Sequence, residues 1–179
     1  MKLVSKVFRR IFKKIYRKIN MVNFCRSQGM VVGRDCLISS SVNIGTEPYL
    51  INVGNHCEIT ADVNLITHDG GVWVFRRNYP RWDIISPIVI EDNVYVGYGA
   101  VIMPGVRIGA NSVIGTRAIV TRNIPSNVVA VGSPARVIKT SHEYFKKCRD
   151  NSIDSKHLIG SEKREFVERV LKVRGELKW

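Results

Sequence analysis

The residues with the clearest chemical potential lie in the stretch LITHDGG, Leu65 to Gly71, in which His68 precedes Asp69 and two glycines. Imidazole can take up a proton near neutral pH, as a general base must. Asp69 could orient that imidazole or could begin the Asp-Gly-Gly turn, and we favour the turn. A lone histidine is more often a packing residue than a catalytic one, so these residues alone leave both roles of His68 open. We interpret the other histidines as structural or surface residues: His56, His142 and His157.

The elements that position this stretch form a six-residue repeat. An aliphatic residue recurs at every sixth position in three runs: Val32, Ile38 and Ile44; Val53, Ile59 and Leu65; and Ile90, Val96, Ile102, Ile108, Ile114 and Val120. In a helix, residues six apart lie about 240° apart around the axis, so the stripe would wander. Short strands separated by turns fit better, with the aliphatic residue pointing inward and Gly or Asn allowing sharp corners. Three such faces close a coil, and stacked coils form a solenoid. A β-sandwich is the alternative, but the repeat does not drift from Ile90 to Val120.

Two interruptions break this repeat. The spacing is nine between Ile44 and Val53, around TEPYL, and 25 between Leu65 and Ile90. We therefore expect residues 67–87 to form an extruded loop, which at that length is usually functional or disordered. The loop is too aromatic for disorder. It contains Trp73, Phe75, Tyr79 and Trp82 together with Arg76, Arg77 and Arg81.

The later repeats, IEDNVYVGYGAVIMPGVRIGANSVIGTRAIVTRNIPSNVVAVGSPARVIK, resemble the last coils and C-terminal signature of the hexapeptide-repeat acyltransferases. The resemblance is to the maltose, galactoside and xenobiotic O-acetyltransferase branch and covers residues 30–140. It implies a mainly β fold, the left-handed parallel β-helix, in a homotrimer that uses acetyl-CoA without a metal. It also implies that His68, beside the long loop, is the general base for direct attack of a hydroxyl on the thioester in a ternary complex. A backbone N–H would stabilise the oxyanion.

The resemblance also assigns binding residues. Acceptor-site candidates are Asn43, Asn64, Asp69 and Trp73, although Asn64 could equally be a corner residue and the aromatic loop could instead pack on a neighbouring subunit. Donor-site candidates are Tyr95, Tyr98, Thr116, Arg117, Thr121, Arg122, Arg136 and Lys139. The last two cations suit the phosphates of CoA. Tyr95 departs from a usual Trp, and Arg117 departs from a usual Gly, so its guanidinium could reach the cofactor or crowd it. The alternative for all of them is a solvated coil corner.

The formal charge of +13 is concentrated at the start of the chain. Residues 1–20 carry eight Lys or Arg and no acid, and apolar residues at helical spacing predict a basic amphipathic helix over 2–22. That helix could lie on anionic lipid or pack on the coils or trimer. We predict an N-terminal region 1–24, the β-helix over 25–140 and a helical appendage over 141–179. In the appendage, 161–174 is expected to be a helix with Ser161 as a plausible cap, and 141–160 to be partly helical.

Other classes are disfavoured. The four cysteines form no CxxC pair, which argues against a disulfide framework or zinc site and fits a reducing cytoplasm. No apolar run approaches the roughly 20 residues that span a bilayer, and no secretory signal is visible. Walker, GxSxG and HExxH motifs and nucleic-acid modules are missing. We expect a cytoplasmic protein, at most peripheral on the inner membrane face.

Taken together, these features predict an O-acetyltransferase that acts on a sugar hydroxyl of a surface glycan or its precursor. An amino-sugar N-acetyltransferase of the same fold is the first alternative. A membrane-associated scaffold that has lost catalysis is the second.

Overall fold

The computed structural model describes residues 20–178, which form two compact units, 20–142 and 143–178. The first unit is built from thirteen short strands. They are β1 Val31–Val32, β2 Leu37–Ile38, β3 Ile51–Val53, β4 Glu58–Ile59, β5 Asn64–Leu65, β6 Ile88–Ile90, β7 Tyr95–Val96, β8 Val101–Ile102, β9 Arg107–Ile108, β10 Val113–Ile114, β11 Ile119–Val120, β12 Val128–Val131 and β13 Arg136–Thr140.

These strands pair into three sheets. Sheet A has the order β1-β3-β6-β9, sheet B the order β13-β12-β10-β7-β4-β2, and sheet C the order β11-β8-β5. All pairs are parallel except β12 with β13. Tyr95 pairs with Val113 and Val101 with Ile119, an offset of 18 residues that equals one turn of three six-residue faces. The chain is therefore a three-sheeted parallel β-helix, as the repeat predicts.

We number the coils by their strands. Coil 1 contains β1 and β2, coil 2 contains β3 to β5, coil 3 contains β6 to β8, and coil 4 contains β9 to β11. Every aliphatic residue of the predicted stripe is buried, and together they form one continuous column of core side chains. Burying a Val, Leu or Ile contributes roughly 1.5–3 kcal/mol each, so this column is the main source of stability in the unit.

Glycine supplies left-handed backbone at several sharp corners, as predicted, since Gly45, Gly99 and Gly105 have φ values of 65°, 64° and 79°. At the corner between sheets A and B the left-handed residues are Asp35, His56, Asn93, Asn111 and Asn127, of which the three asparagines fit the Asn part of the prediction. Gly97 has no positive φ, but a Cβ there would lie 2.7 Å from the backbone nitrogen of Thr116 in the next coil. Glycine is required at position 97 because the backbones of two coils approach closely there, not because the dihedral angle is unusual.

Helical turns lie at the interruptions and at the start of the described chain. The first interruption forms a 3-10 turn, Pro48–Leu50, and the second contains another, Gly70–Phe75. A short helix, α1 Met21–Ser27, covers the first coil with Met21 and Cys25 in the common core. Asn20 has non-helical backbone and caps α1 by accepting from the N–H of Asn23. The helix predicted over 2–22 therefore does not continue through Asn20, and its remainder lies outside the described residues.

The second unit contains α3, Gly160–Val173, and most of α2, Ser141–Asn151. Arg174 joins the ends of both helices by donating to the carbonyls of Asn151 and Ser152. Ile159, not Ser161, precedes α3, and no side chain caps it, so the predicted cap is wrong because the helix begins one residue before that serine. None of the helices in residues 20–178 combines the length and apolar character needed to cross a membrane.

Candidate active site

Glu47 enters the site from the first interruption of the repeat. Pro48 opens the 3-10 turn, where its fixed φ and missing N–H are tolerated, and Glu47 is the residue before it. Its backbone, with φ −116° and ψ 59°, is neither strand nor helix. The three inserted residues thus displace the chain from the regular path of the coil. The Glu47 side chain can therefore reach the next coil.

His68 enters from the second interruption, directly after β5. The two ends of the long loop form a short antiparallel pair in which Ser86 donates to the carbonyl of Thr67 and Asp69 donates to that of Ile84, at 2.8 and 2.9 Å. His68 lies opposite Ile85 in this pair. The backbone of the histidine is therefore fixed, although it belongs to a loop.

The two interruptions bring Glu47 and His68 into contact. Nδ1 of His68 lies 3.1 Å from Oε2 of Glu47. The Glu47 carboxylate also accepts from the hydroxyls of Thr46, at 2.6 Å to Oε1, and Thr67, at 2.8 Å to Oε2. The Glu47 side chain is only 19% exposed, whereas that of His68 is 41% exposed. The pair is thus supported from the protein side and open on the imidazole side.

The electrostatics of the pair favour one placement of the protons. The hydrogen bond from Thr46 holds the pKa of Glu47 below its usual value, with further lowering from Thr67 and His68 that outweighs partial burial. An ionised carboxylate only accepts hydrogen bonds, so this contact is a hydrogen bond in the tautomer that carries its hydrogen on the His68 Nδ1. The lone pair of the neutral ring is then on Nε2, which has no hydrogen-bond partner among residues 20–178.

Asp69 does not orient His68. Its carboxylate accepts from the N–H of Gly71 at 2.8 Å and caps the 3-10 turn Gly70–Phe75. Successive side chains of extended backbone point to opposite sides, and Asp69 has φ −102° and ψ 106°, so it faces away from its neighbour. The turn role that we favoured is the one this geometry supports, and the acceptor-site role of Asp69 stays a prediction without a contact to His68.

Asn43 and Asn64 stack on one another at adjacent rungs of sheet C. Asn43 donates to Oδ1 of Asn64 at 3.2 Å and accepts from the N–H of Gly45, while Asn64 donates to the carbonyl of Asp62. Both amides are thus engaged at coil corners, although Asn43 is exposed. Trp73 is 73% exposed on the loop turn. It is therefore accessible either to an acceptor or to a neighbouring subunit.

Three donor candidates share the outer face of sheet B. In the regular part of the sheet Tyr95 pairs with Val113, and Val113 with Val129, which opposes Lys139. Arg136 and Lys139 would face opposite sides of a regular strand, but a register shift next to Val129 puts both on this outer face. Tyr95 also lines a cavity of about 360 Å³, together with Val113 and Ser141.

The other donor candidates lie at two different corners. Tyr98 and Arg117 are together between sheets B and C, where Arg117 donates its backbone N–H to the carbonyl of Tyr98, and Thr116 packs under Gly97. A hydrogen bond to the Asp62 carboxylate raises the pKa of Tyr98. Thr121 and Arg122 follow β11 and lie at the corner between sheets C and A, so one chain does not bring all eight candidates into one cluster.

Glu47 was missed by the sequence reasoning. The signal that could have found it is the first interruption itself, whose three additional residues place a carboxylate one coil from His68. In residues 20–178 no group of three or more His, Cys, Asp or Glu side chains is placed to hold a metal ion.

Comparisons with known proteins agree with this architecture. The family profile "Bacterial transferase hexapeptide (six repeats)" matches residues 87–122. "Protein CapG" of Staphylococcus aureus is 40% identical over 144 residues, covering 79% of this chain and 84% of that one. Galactoside O-acetyltransferase of Escherichia coli K12 is 37% identical over 131 residues, covering 70% of this chain and 63% of the enzyme. The hexapeptide-repeat acetyltransferase VCA0836 from Vibrio cholerae, solved with acetyl-CoA, has the same fold, with a TM-score of 0.55 and 23% identity over 72% of this chain and 82% of that one.

Proposed function

Because the chain belongs to the hexapeptide-repeat acetyltransferases, we propose that it transfers the acetyl group of acetyl-CoA to a sugar hydroxyl of a surface glycan or its precursor. The observation that carries the proposal is the His68–Glu47 pair beside an aromatic loop, with the Nε2 of His68 unpartnered within residues 20–178. The galactoside O-acetyltransferase relative supports a sugar acceptor and an oxygen nucleophile. Membership of the family also implies that the coils wind in the left-handed sense.

The proposed reaction is a direct transfer in a ternary complex. The acceptor hydroxyl donates its proton to Nε2 of His68 as its oxygen attacks the thioester carbonyl, which gives a tetrahedral oxyanion. A backbone N–H stabilises that oxyanion. When the intermediate collapses, the carbon–sulfur bond breaks, and the imidazolium returns the proton to the departing CoA thiolate. The products are an acetyl ester and CoA, and His68 regains its starting state.

The positions of the candidates favour a site shared between copies of the chain. His68 lies at the corner between sheets C and A, and in a three-sided coil this corner is opposite the outer face of sheet B, where Tyr95 and Lys139 lie. A donor bound on that face cannot reach His68 of the same chain. We therefore propose a homotrimer in which one subunit supplies the base and its neighbour most of the donor surface.

The acceptor surface is proposed on the loop. Trp73 and Phe75 are exposed, and Tyr79 stacks on Trp82 with ring centroids 3.7 Å apart, so the loop offers flat apolar surfaces of the kind on which sugar rings stack. Trp73 also lines an open cavity of about 650 Å³ with Arg76 and Arg77. Arg76 lies 3.7 Å from the carboxylate of Asp83, so Arg77 is the cation that would favour an acceptor with an acidic group or a phosphate.

The test is acetyl-CoA turnover against nucleotide sugars, amino sugars and glycan fragments, with the wild-type chain, His68→Ala and His157→Ala. We expect one hydroxyl acceptor to be used and His68→Ala to lose roughly 10²–10⁴-fold in kcat, the usual contribution of a general base. His157, which is exposed in the second unit, is the matched control and should be silent. Acetylation of amines alone would replace the proposal with an N-acetyltransferase, and full activity of His68→Ala would remove His68 from the mechanism.

A further inference from the structure

We propose that Glu47 is the positioning residue of His68, holding the imidazole in the tautomer and direction in which Nε2 is the base. The inference rests on the proposed function for its catalytic consequence, but the tautomer itself is a property of the resting protein. Glu47 comes from coil 1 and His68 from the end of coil 2, so the pair links the two interruptions of the repeat.

The contacts specify one arrangement of the pair. Oε1 of Glu47 accepts from the Thr46 hydroxyl, and Oε2 accepts from both the Thr67 hydroxyl and the His68 Nδ1. Thr67 is fully buried, so its hydroxyl has little freedom to turn elsewhere. With both oxygens held by hydroxyl donors, the carboxylate is fixed and oriented toward the ring.

The tautomer matters because only one ring nitrogen can serve the acceptor. Neutral histidine in water prefers to carry its hydrogen on Nε2, the atom that must be unprotonated here. The Glu47 carboxylate reverses that preference by accepting the hydrogen of Nδ1. After proton transfer the imidazolium carries hydrogens on both nitrogens, and the carboxylate beside Nδ1 stabilises the new positive charge.

A second histidine–carboxylate pair in the chain lacks these features. His157 Nδ1 lies 3.5 Å from Oδ1 of Asp154, and the two side chains are 63% and 94% exposed. Exposed pairs of this kind contribute little because solvent competes for both partners. Asp154→Asn is therefore a matched control that removes a carboxylate from an imidazole without touching the site.

The experiment measures the tautomer and the kinetics in the same full-length variants. Long-range ¹H–¹⁵N correlation spectra above the histidine titration range distinguish protonated from unprotonated ring nitrogens, and His68→Ala assigns the His68 signals among the four histidines. We expect wild-type His68 to show a protonated Nδ1 and an unprotonated Nε2. Glu47→Gln should shift this pattern toward a protonated Nε2, and Asp154→Asn should leave it unchanged.

The kinetic arm separates positioning from binding. Glu47→Gln should lower kcat by roughly 10²-fold or more, as expected when a base loses its orienting carboxylate, with the KM for acetyl-CoA within about twofold of wild type. Glu47→Asp keeps the charge but withdraws the carboxylate by one methylene, and should lose roughly tenfold or more in kcat. It also serves as the test variant if Glu47→Gln does not fold.

Wild-type His68 with a protonated Nε2, or a tautomer unchanged in Glu47→Gln and Glu47→Asp, overturns the inference. The proposed function fails differently, since loss of acetyl transfer to every acceptor would leave the spectra of His68 unaffected. A fall in melting temperature with an unchanged tautomer and unchanged kcat would assign Glu47 a purely structural role and would also overturn the inference.

Discussion

Coils 3 and 4 run from β6 to β11 without an insertion, whereas coils 1 and 2 are interrupted twice within a similar length. The regular coils keep the offset of 18 residues in every pair and present a flat outer surface with Tyr95 on it. The interrupted coils contribute Glu47 and His68, which meet at 3.1 Å. The regular repeat thus forms the scaffold, and the candidate catalytic pair lies where the repeat is interrupted.

The physical reason is that a regular rung offers few options to a side chain. Each residue of a short strand points either into the aliphatic core or straight out to solvent. A carboxylate in the core would be costly to bury. On the outer face, water would compete with the imidazole for its hydrogen bonds. Added residues allow a side chain to lie along the rim of a coil, where Glu47 is shielded yet hydrogen-bonded.

The largest expected effect is on the regular coils and concerns stability. Gly97→Ala would place a Cβ within 2.8 Å of backbone atoms of Ile114 and Gly115, which cannot move aside without separating coils 3 and 4. We expect a loss of about 3 kcal/mol or more, or roughly 6–12 °C in Tm, by thermal unfolding. Gly70→Ala, with no atom within 4 Å, is the matched change in the interrupted region and should alter Tm by less than about 2 °C. Equal losses in both variants would show that the two regions are equally tolerant.

The next effect is on catalysis and belongs to the interrupted coils. Thr67→Val replaces the hydroxyl that donates to Oε2 of Glu47 with a methyl group of similar size. We expect kcat to fall about tenfold, the equivalent of ~1.4 kcal/mol and typical of one hydrogen bond to a charged group. Thr60→Val, which removes a 2.8 Å hydrogen bond to the carbonyl of Val96, is the control and should keep full activity. Similar losses in the two variants would mean that threonine packing, rather than the Glu47 contact, governs the rate.

A smaller effect is expected where the regular coils depart from the family pattern. Arg117 has a φ of 57°, a backbone conformation that costs a non-glycine residue about 1–2 kcal/mol, and its side chain runs along Gly99 toward Tyr98. Arg117→Gly should raise stability by about 0.5–1 kcal/mol, since the greater entropy of unfolded glycine offsets part of the gain. Its effect on the KM for acetyl-CoA, measured in the same preparation, decides between the two roles we predicted: a rise means that the guanidinium holds the donor, and a fall means that it crowds it.

The smallest effect is a pH dependence that both regions share. The hydrogen bond from Thr46 lowers the pKa of Glu47, and the N–H of Ala110 is the largest cause that lowers the pKa of Glu91 in coil 3. Each carboxylate therefore binds protons more weakly in the folded chain, and its contribution to stability is present above the usual glutamate pKa of about 4.3 and is lost as the pH falls below it. Glu47→Gln and Glu91→Gln should each lose less Tm than wild type between about pH 6 and about pH 3, a range that extends below the usual glutamate pKa. A steeper fall in either variant would contradict the direction of its pKa shift.

Much of the scaffold could be predicted because one physical rule governs it. The six-residue spacing of aliphatic side chains specified the buried column, and all twelve positions are in the core. The long spacing between Leu65 and Ile90 predicts a loop over 67–87, and β5 ends at Leu65 while β6 begins at Ile88. Periodicity predicts the core because every face of every coil must bury an aliphatic side chain at the same position.

The details of the site could not be predicted in the same way. Nothing in the residue types indicates that Glu47 rather than Asp69 faces His68, because the choice depends on a 3-10 turn and on which side of an extended strand each side chain lies. Arg136 and Lys139 share a face only because of a register shift, and a sequence does not record one. The glycines show a related limit, because Gly45 supplies left-handed backbone whereas Gly97 allows close approach between coils, and a sequence does not distinguish the two.

The antiparallel return of β13 has a consequence for how long such a molecule can grow. A parallel β-helix could in principle add coils without limit, and its last rung would offer unpaired N–H and C=O groups to any chain that matched it. Here β12 is followed by a strand of opposite direction, Arg136–Thr140, that occupies the place of the next coil in sheet B. A further parallel rung finds no continuing register on that sheet, and two cations stand on the outer face of the closing strand. The same hairpin that carries the proposed phosphate ligands thereby opposes end-to-end fibre formation, so that one short segment serves both purposes.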